Sequence, residues 1–313
     1  MPEAAPLGRL AIVGLGLIGS YIARGARRYG LAERIVAIDA DPAVRARVLD
    51  LGIADDVTGD AAGASEADLV VLCVPVGAIG PVAAAMAPHL KPGAVVSDVG
   101  SVKASVVAAV TPHLPDGIVF VPGHPVAGTE YSGPDAGFST LFSNRWCILT
   151  PPEDAPEAAV ERVRALWQGL GAVVETMTPE HHDLVLAITS HVPHLIAYNI
   201  VGTAADLEQV TQSEVMKFSA GGFRDFTRIA SSDPTMWRDI FLTNREAVLE
   251  MLGRFNEDLS VLTRAIRYGD GAALHDLFTR TRAIRRGIVA QGQETPEADF
   301  GRARAAEGVP KAG

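Results

Sequence analysis

Residues 9–20 read "RLAIVGLGLIGS", an apolar run that passes directly into three glycines, Gly14, Gly16 and Gly19. The run Leu10–Val13 has the length and side chains of a buried strand, and Ile18–Tyr29 carries a helical pattern. Between them G-x-G-x-x-G has a physical use. Gly14 permits a tight turn, Gly16 lets backbone approach a pyrophosphate, and Gly19 allows close helix–strand contact. Leu17 and Ile18 then open a helix whose N–H groups face the phosphates. Asp39 ends the next apolar run, Ile35–Ile38, twenty positions past Gly19. A carboxylate there accepts hydrogen bonds from ribose hydroxyls and repels a 2′-phosphate, so the expected cofactor is NAD rather than NADP. Arg45 and Arg47 read as a solvated helix face.

Working outward, further strands are expected at Leu69–Val74, Ala94–Ser97, Ile118–Val121, Trp146–Leu149 and Ala172–Val174. Helical stretches such as Ala43–Leu51 and Lys103–Ala109 separate most of them. This alternation predicts a Rossmann-type, doubly wound parallel sheet. After Val174 the strand signals stop. Thr178-Pro179 and Asp233-Pro234 pair a capping side chain with a proline at the first helical position. The second of these opens one long helix towards Arg267, and Gly221-Gly222 ends an earlier one. The division expected is a dinucleotide-binding domain over 1–177, an all-helical domain over 178–294 and a frayed tail over 295–313. No internal repeat is visible.

The chain has 313 residues, 48% of them hydrophobic, and a formal net charge of −10. Without a basic stripe it offers no face for nucleic acid. Cys73 and Cys147 sit in apolar runs and read as small buried hydrophobes, with neither a disulfide nor a metal site. The start "MPEAAPLGRL" has no basic stretch followed by a long apolar one, so no export signal is expected. Leu69–Pro88 is uncharged, but Pro75, Gly77, Gly80 and Pro81 divide it, which argues against a membrane span. A cytoplasmic protein is expected.

Ligands of open parallel sheets bind beyond the carboxyl ends of the strands. Those ends carry Gly14–Gly19, Asp39, Val74-Pro75-Val76, "SDVGS" (97–101) and, in "GHPVAGTEYSG" (123–133), His124. A neutral imidazole there could take the proton of a carbinol as hydride leaves its carbon. Ser101 could bond that hydroxyl or the histidine. In the helical half Ser190, His191, His194 and Tyr198 share a helix side at three-to-four spacing. Arg224 and Arg228, four apart in an acidic chain, suggest a substrate carboxylate, although salt bridges to Asp225 or Asp239 are the plainer use for them.

Taken together, GLGLIG, "DVGSVK" (98–103), "GHPVAGTE" (123–130), "SHVPH" (190–194) and "GGFRDFTRIASSDPTMWRDI" (221–240) resemble the prephenate/arogenate dehydrogenase family of tyrosine biosynthesis over roughly residues 8–290. The resemblance implies a helical dimerisation domain, a homodimer, and oxidative decarboxylation of a cyclohexadienyl acid by NAD in a cleft between the domains. It makes His124 the acceptor for the ring hydroxyl and places Ser101 near the nicotinamide, alongside Val74 and Pro75 of the cofactor rim. Arg228 would hold a substrate carboxylate. Ser190, His194, Thr129, Glu130 and Gly221 would line the pocket, Trp237 would reach a site from the partner subunit, and Asp183 would pair with an arginine. Neither a fused chorismate mutase nor a regulatory ACT domain is expected. Two rival readings are a β-hydroxyacid dehydrogenase with Lys217 as its lysine, and a nucleotide-sensing protein without turnover. "SEVMKFSAGG" lacks the Lys-x-x-x-Asn pattern expected of the first, and the second has no need for both His124 and Arg228.

Overall fold

The structure is a computed structural model that describes residues 6–127, 133–136, 140–208 and 220–290. It divides into two compact units, Met1–Val248 and Leu249–Gly313. The first unit is built on a six-stranded sheet: β1 (Leu7–Val13), β2 (Ala32–Ile38), β3 (Asp56–Thr58), β4 (Leu69–Leu72), β5 (Val95–Asp98) and β6 (Val119–Phe120). The spatial order is β3-β2-β1-β4-β5-β6, every pair parallel. This is the strand order of a dinucleotide-binding fold, with its reversal point between β1 and β4.

Alternation along the strands feeds both faces. Leu10 and Ile12 of β1 join a core with Trp167 and Phe142, whereas Ala11 and Val13 join another with Ile79, Val96 and Val106. Burial on both sides requires such continuous apolar runs. The helices that cover the sheet are α1 (Leu17–Tyr29), α2 (Pro42–Asp50), α3 (Val76–Met86), α4 (Ala104–Val110) and α5 (Glu157–Gly169).

Three features differ from the sequence-based expectation. Strand β3 is only three residues long, too short to stand out from its surroundings. Trp146–Leu149 and the run after Ala172 lie outside the large sheet. As β8 (Trp146–Leu149) and β9 (Val173–Thr176) they form a separate sheet with β7 (Gly123–Pro125), in which β7 and β8 are antiparallel. His124 is therefore itself a strand residue, opposite Ile148.

The helical part begins with α6 (Pro179–Leu186), where Thr178 Oγ1 caps the His181 N–H at 3.2 Å. A π turn over Ala187–His191 leads into α7 (Val192–Glu208). His191, His194 and Tyr198 still face one side, all three against Trp237, and His194 bonds the Ser190 carbonyl across the π turn. π turns inside helices frequently mark functional positions. The run Pro179–Leu207 is long and apolar enough to cross a membrane by length and composition alone. It also carries His182, Asp183 and His191, all buried in the protein interior.

Gly221-Gly222 opens α8 (Gly221–Thr227), and residues 209–219, where the earlier helix was expected to end, lie outside the described residues. Helix α9 (Pro234–Thr243) starts at the Asp233 cap, whose Oδ1 accepts the Met236 N–H at 2.8 Å. The expected single helix from Pro234 to Arg267 breaks at Asn244. The second unit holds the C-terminal part of α10 (Arg245–Tyr268) and α11 (Gly271–Ala290).

Candidate active site

The first turn after β1 is shaped for close approach. Gly14 has φ of 89°, and a Cβ there would stand 2.7 Å from the Cys73 carbonyl oxygen and 2.9 Å from Val74 Cγ1. A side chain at Gly19 would collide with the Gly14 carbonyl. A Cβ at Gly16 would instead meet nothing within 4 Å, leaving open space before the start of α1. No side chain caps that helix and no acid occupies its first turn. The N–H groups around Leu17 and Ile18 thus present an uncovered positive end, the environment that stabilises a pyrophosphate. Asp39 is tied to this turn: Oδ2 accepts the Leu15 N–H at 2.7 Å and Oδ1 the Asp41 N–H at 2.9 Å. Each oxygen keeps acceptor capacity for a ribose hydroxyl. These residues fit a dinucleotide. Arg45 and Arg47 are not merely solvated. Arg45 Nη1 donates to the Asp39 and Ala40 carbonyls at 2.8 and 2.9 Å, and Arg47 pairs with Asp135 at 2.6 Å.

The rim continues through β4 and β5. Val74 packs on the core beside Gly14, and Pro75 precedes α3. Beyond β5, Asp98 and Lys103 form an ion pair at 2.5 Å with both side chains wholly buried. Asp98 also accepts the Gly100 and Gly123 N–H groups at 2.7 and 3.2 Å, and Lys103 Nζ donates to the Gly123 carbonyl at 2.7 Å. The residue preceding His124 is thereby clamped to the end of β5. Ser101 is half-buried in the connection between β5 and α4, between the two members of this pair.

His124 is 7% exposed. Its Nδ1 lies 2.8 Å from His182 Nε2, and His182 Nδ1 lies 2.8 Å from Asp183 Oδ1. Burial first, then the positive potential of neighbours including Lys103, holds the His124 imidazole well below the usual histidine range. It is neutral at neutral pH. Asp183 also accepts the Lys103 and Ala104 N–H groups at 2.7 and 2.9 Å. It therefore joins His182 and the backbone before α4, correcting the expected arginine pairing.

A second cluster adjoins this loop. Val102 is buried against Trp237 and Ile240. Trp237 stacks on His194, with centroids 3.7 Å apart and planes inclined by 24°. Trp237 thus belongs to its own chain's interior, where only 6% of it is exposed, rather than reaching towards a partner. His194 Nδ1 bonds the Ser190 carbonyl at 2.8 Å. Desolvation, and to a lesser degree the Arg228 charge, lowers the His194 pKa, which puts Arg228 within electrostatic reach of that ring. Arg228 ends α8, Gly221 begins it, and Asp239 pairs with Arg238 instead. Thr129, Glu130 and Lys217 lie outside the described residues.

Three residues with no role assigned from sequence hold the site together: His182, Lys103 and Asn244. Asn244 Nδ2 donates to the Asp183 carbonyl at 2.9 Å and to His191 Nδ1 at 3.1 Å. Burial pushes His191 down to about 4, consistent with a neutral ring that accepts this bond. The triplet His181-His182-Asp183 directly after a helix cap was the available signal for His182.

Most of the chain is similar to known proteins of one family. Residues 22–176 match the family description "prephenate dehydrogenase, nucleotide-binding domain", and 178–280 match "prephenate dehydrogenase, dimerization domain". The chain is 46% identical to a cyclohexadienyl dehydrogenase of Zymomonas mobilis, over 88% of this chain and 94% of that one. It is 34% identical to a prephenate dehydrogenase of Bacillus subtilis, over 89% of this chain and 76% of the relative. A crystal structure of the Aquifex aeolicus prephenate dehydrogenase, in complex with hydroxyphenyl propionate and NAD+, superposes with a TM-score of 0.86 at 35% identity. It covers 91% of this chain and 100% of that one.

Proposed function

The chain belongs to the prephenate/arogenate (cyclohexadienyl) dehydrogenase family, and from that premise we propose that it oxidatively decarboxylates prephenate, arogenate or both, with NAD as the hydride acceptor. The observation that carries this reading is the buried His124, whose neighbour Gly123 is clamped to Asp98 at the end of β5, in a unit whose first turn leaves room for a dinucleotide. The bound nicotinamide would take up the hydride from the carbinol carbon. As that carbon becomes electron-poor, its hydroxyl oxygen donates a lone pair and its proton turns acidic. His124 accepts that hydrogen bond, and Ser101, in the connection between β5 and α4, would assist it. Loss of the ring carboxylate as carbon dioxide leaves its bonding pair to complete an aromatic ring. The products are 4-hydroxyphenylpyruvate from prephenate and tyrosine from arogenate.

Arg228 would hold a carboxylate of the substrate, with Ser190, His194, Gly221 and Trp237 around it; Thr129 and Glu130 complete the proposed lining. Asp39 favours NAD over NADP. The functional division runs 1–177 for the dinucleotide and 178–294 for substrate and dimerisation. A homodimer is favoured by Leu184, Ile188, Ile200 and Leu207, large apolar side chains exposed along Pro179–Leu207, a pattern suited to a subunit interface. The Zymomonas relative's name favours dual substrate use. Free Cys73 and Cys147 suit a reducing, cytoplasmic setting.

Steady-state kinetics with both acids and both nicotinamide cofactors tests the reading. NADH formation with stoichiometric carbon dioxide supports it, and nucleotide binding without turnover of either acid overturns it. Sedimentation at assay concentration tests the dimer, and a monomer would contradict it.

A further inference from the structure

Three side chains lie in a row behind the substrate-facing edge of His124. Asp183 Oδ1 is 2.8 Å from His182 Nδ1, and His182 Nε2 is 2.8 Å from His124 Nδ1. His182 is fully buried, Asp183 is 6% exposed, and the two imidazoles meet edge to face, their planes inclined by 68°. A carboxylate can only accept, so the proton of a neutral His182 must sit on Nδ1. His182 Nε2 is then a bare lone pair, and the short contact to His124 is a hydrogen bond only if His124 Nδ1 donates. This leaves the lone pair of neutral His124 on Nε2.

We propose that His182 and Asp183 are positioning residues that fix the tautomer of His124, so that its Nε2 is always the hydrogen-bond acceptor presented to the substrate hydroxyl. The proposal rests on the reading of His124 as that acceptor. Without the row, a neutral imidazole could carry its proton on either nitrogen, and the Nε2–H form would meet the hydroxyl with a donor. The same row helps when His124 takes the proton. The positive charge that forms on His124 is stabilised through its Nδ1–H bond to His182, whose own Nδ1–H is held by the Asp183 carboxylate. Other charged or titratable groups around the pair are Lys103 and Asp98, which are paired with one another, His191, held by Asn244, and the buried thiol of Cys147 on β8. Asp183 is itself fixed by the Lys103 and Ala104 N–H groups, so its carboxylate cannot turn away without breaking both bonds. Such a fixed acid behind an imidazole is how other enzymes impose a tautomer, and converting that acid to its amide there lowers turnover about 10⁴-fold.

Nitrogen-15 NMR of histidine-labelled full-length protein, with and without saturating NAD, reads the tautomer directly. Wild type should show neutral His124 protonated on Nδ1. His182→Gln keeps an acceptor oxygen near the Nε2 position and should retain that tautomer and much of the turnover. His182→Phe removes the acceptor; the His124 proton should redistribute towards Nε2, and kcat should fall about 10²- to 10⁴-fold with NAD affinity unchanged. Asp183→Asn, whose amide can donate to His182 Nδ1, should move the proton in the same direction. It serves as the second variant should His182→Phe not fold. An Nδ1–H tautomer that persists in whichever of these two variants folds, or kcat within twofold of wild type, would overturn the proposal. Failure of the functional reading is separate: His124→Asn would then retain turnover while the tautomer in the wild type stayed as stated.

Discussion

The Lys103 ammonium lies 2.5 Å from the Asp98 carboxylate, and neither side chain has any exposure to solvent. Together they bind both backbone polar groups of Gly123, and so set where His124 begins. Burial pushes the Lys103 pKa down, and Asp98 opposes that effect. Removing one partner of such a pair leaves an uncompensated buried charge, at a cost of about 3–5 kcal/mol. Lys103→Met should therefore lower the denaturant midpoint strongly, and Asp98→Asn combined with it should recover part of the loss. An unchanged midpoint in Lys103→Met would show that the pair does not hold the site.

Asp39 should decide the cofactor. Its carboxylate, tied to Leu15 at 2.7 Å, is the proposed partner of the ribose, where a 2′-phosphate would face a like charge, which costs several kcal/mol. Asp39→Ser should narrow the NAD/NADP ratio of kcat/KM by about tenfold or more. Wild-type enzyme that uses NADP better than NAD would contradict this.

Arg228 should act on binding. Replacement by Gln would leave a substrate carboxylate without its proposed partner and should weaken substrate affinity by about 2–5 kcal/mol, with a smaller change in kcat. An unchanged KM in a folded variant would remove Arg228 from the site.

The large sheet was legible because both of its faces are buried. Runs such as Leu10–Val13 and Leu69–Leu72 are continuously apolar, and the glycine turn follows the first of them. The smaller sheet was not separable, because Trp146–Leu149 is equally apolar although it pairs antiparallel with β7. His124 stood out because it follows the apolar run Ile118–Val121 at the carboxyl end of a strand. Its partner His182 lies 58 residues further on, and only the packing of α6 against the β5–α4 connection makes the two meet. The break at Asn244 was hidden for a similar reason. One polar residue in a helical pattern reads as a surface position, yet this one is 5% exposed and bonded to Asp183 and His191.

The central claim is that a neutral His124 accepts the hydrogen bond of the substrate hydroxyl, and the pH dependence of kcat/KM in wild type and His124→Asn tests it most directly. Burial holds the His124 pKa below 6.5, so the imidazole becomes neutral, and activity should rise, as pH increases through that lower value. The wild-type profile should be level through neutrality and fall only on the acid side of 6.5. His124→Asn removes the titrating nitrogen while leaving Gly14–Gly19 and Asp39 untouched. It should lose the acid limb and reduce kcat by about 10²- to 10⁴-fold while binding NAD normally. Near-normal kcat with an unaltered acid limb would contradict the claim and leave His124 a structural residue.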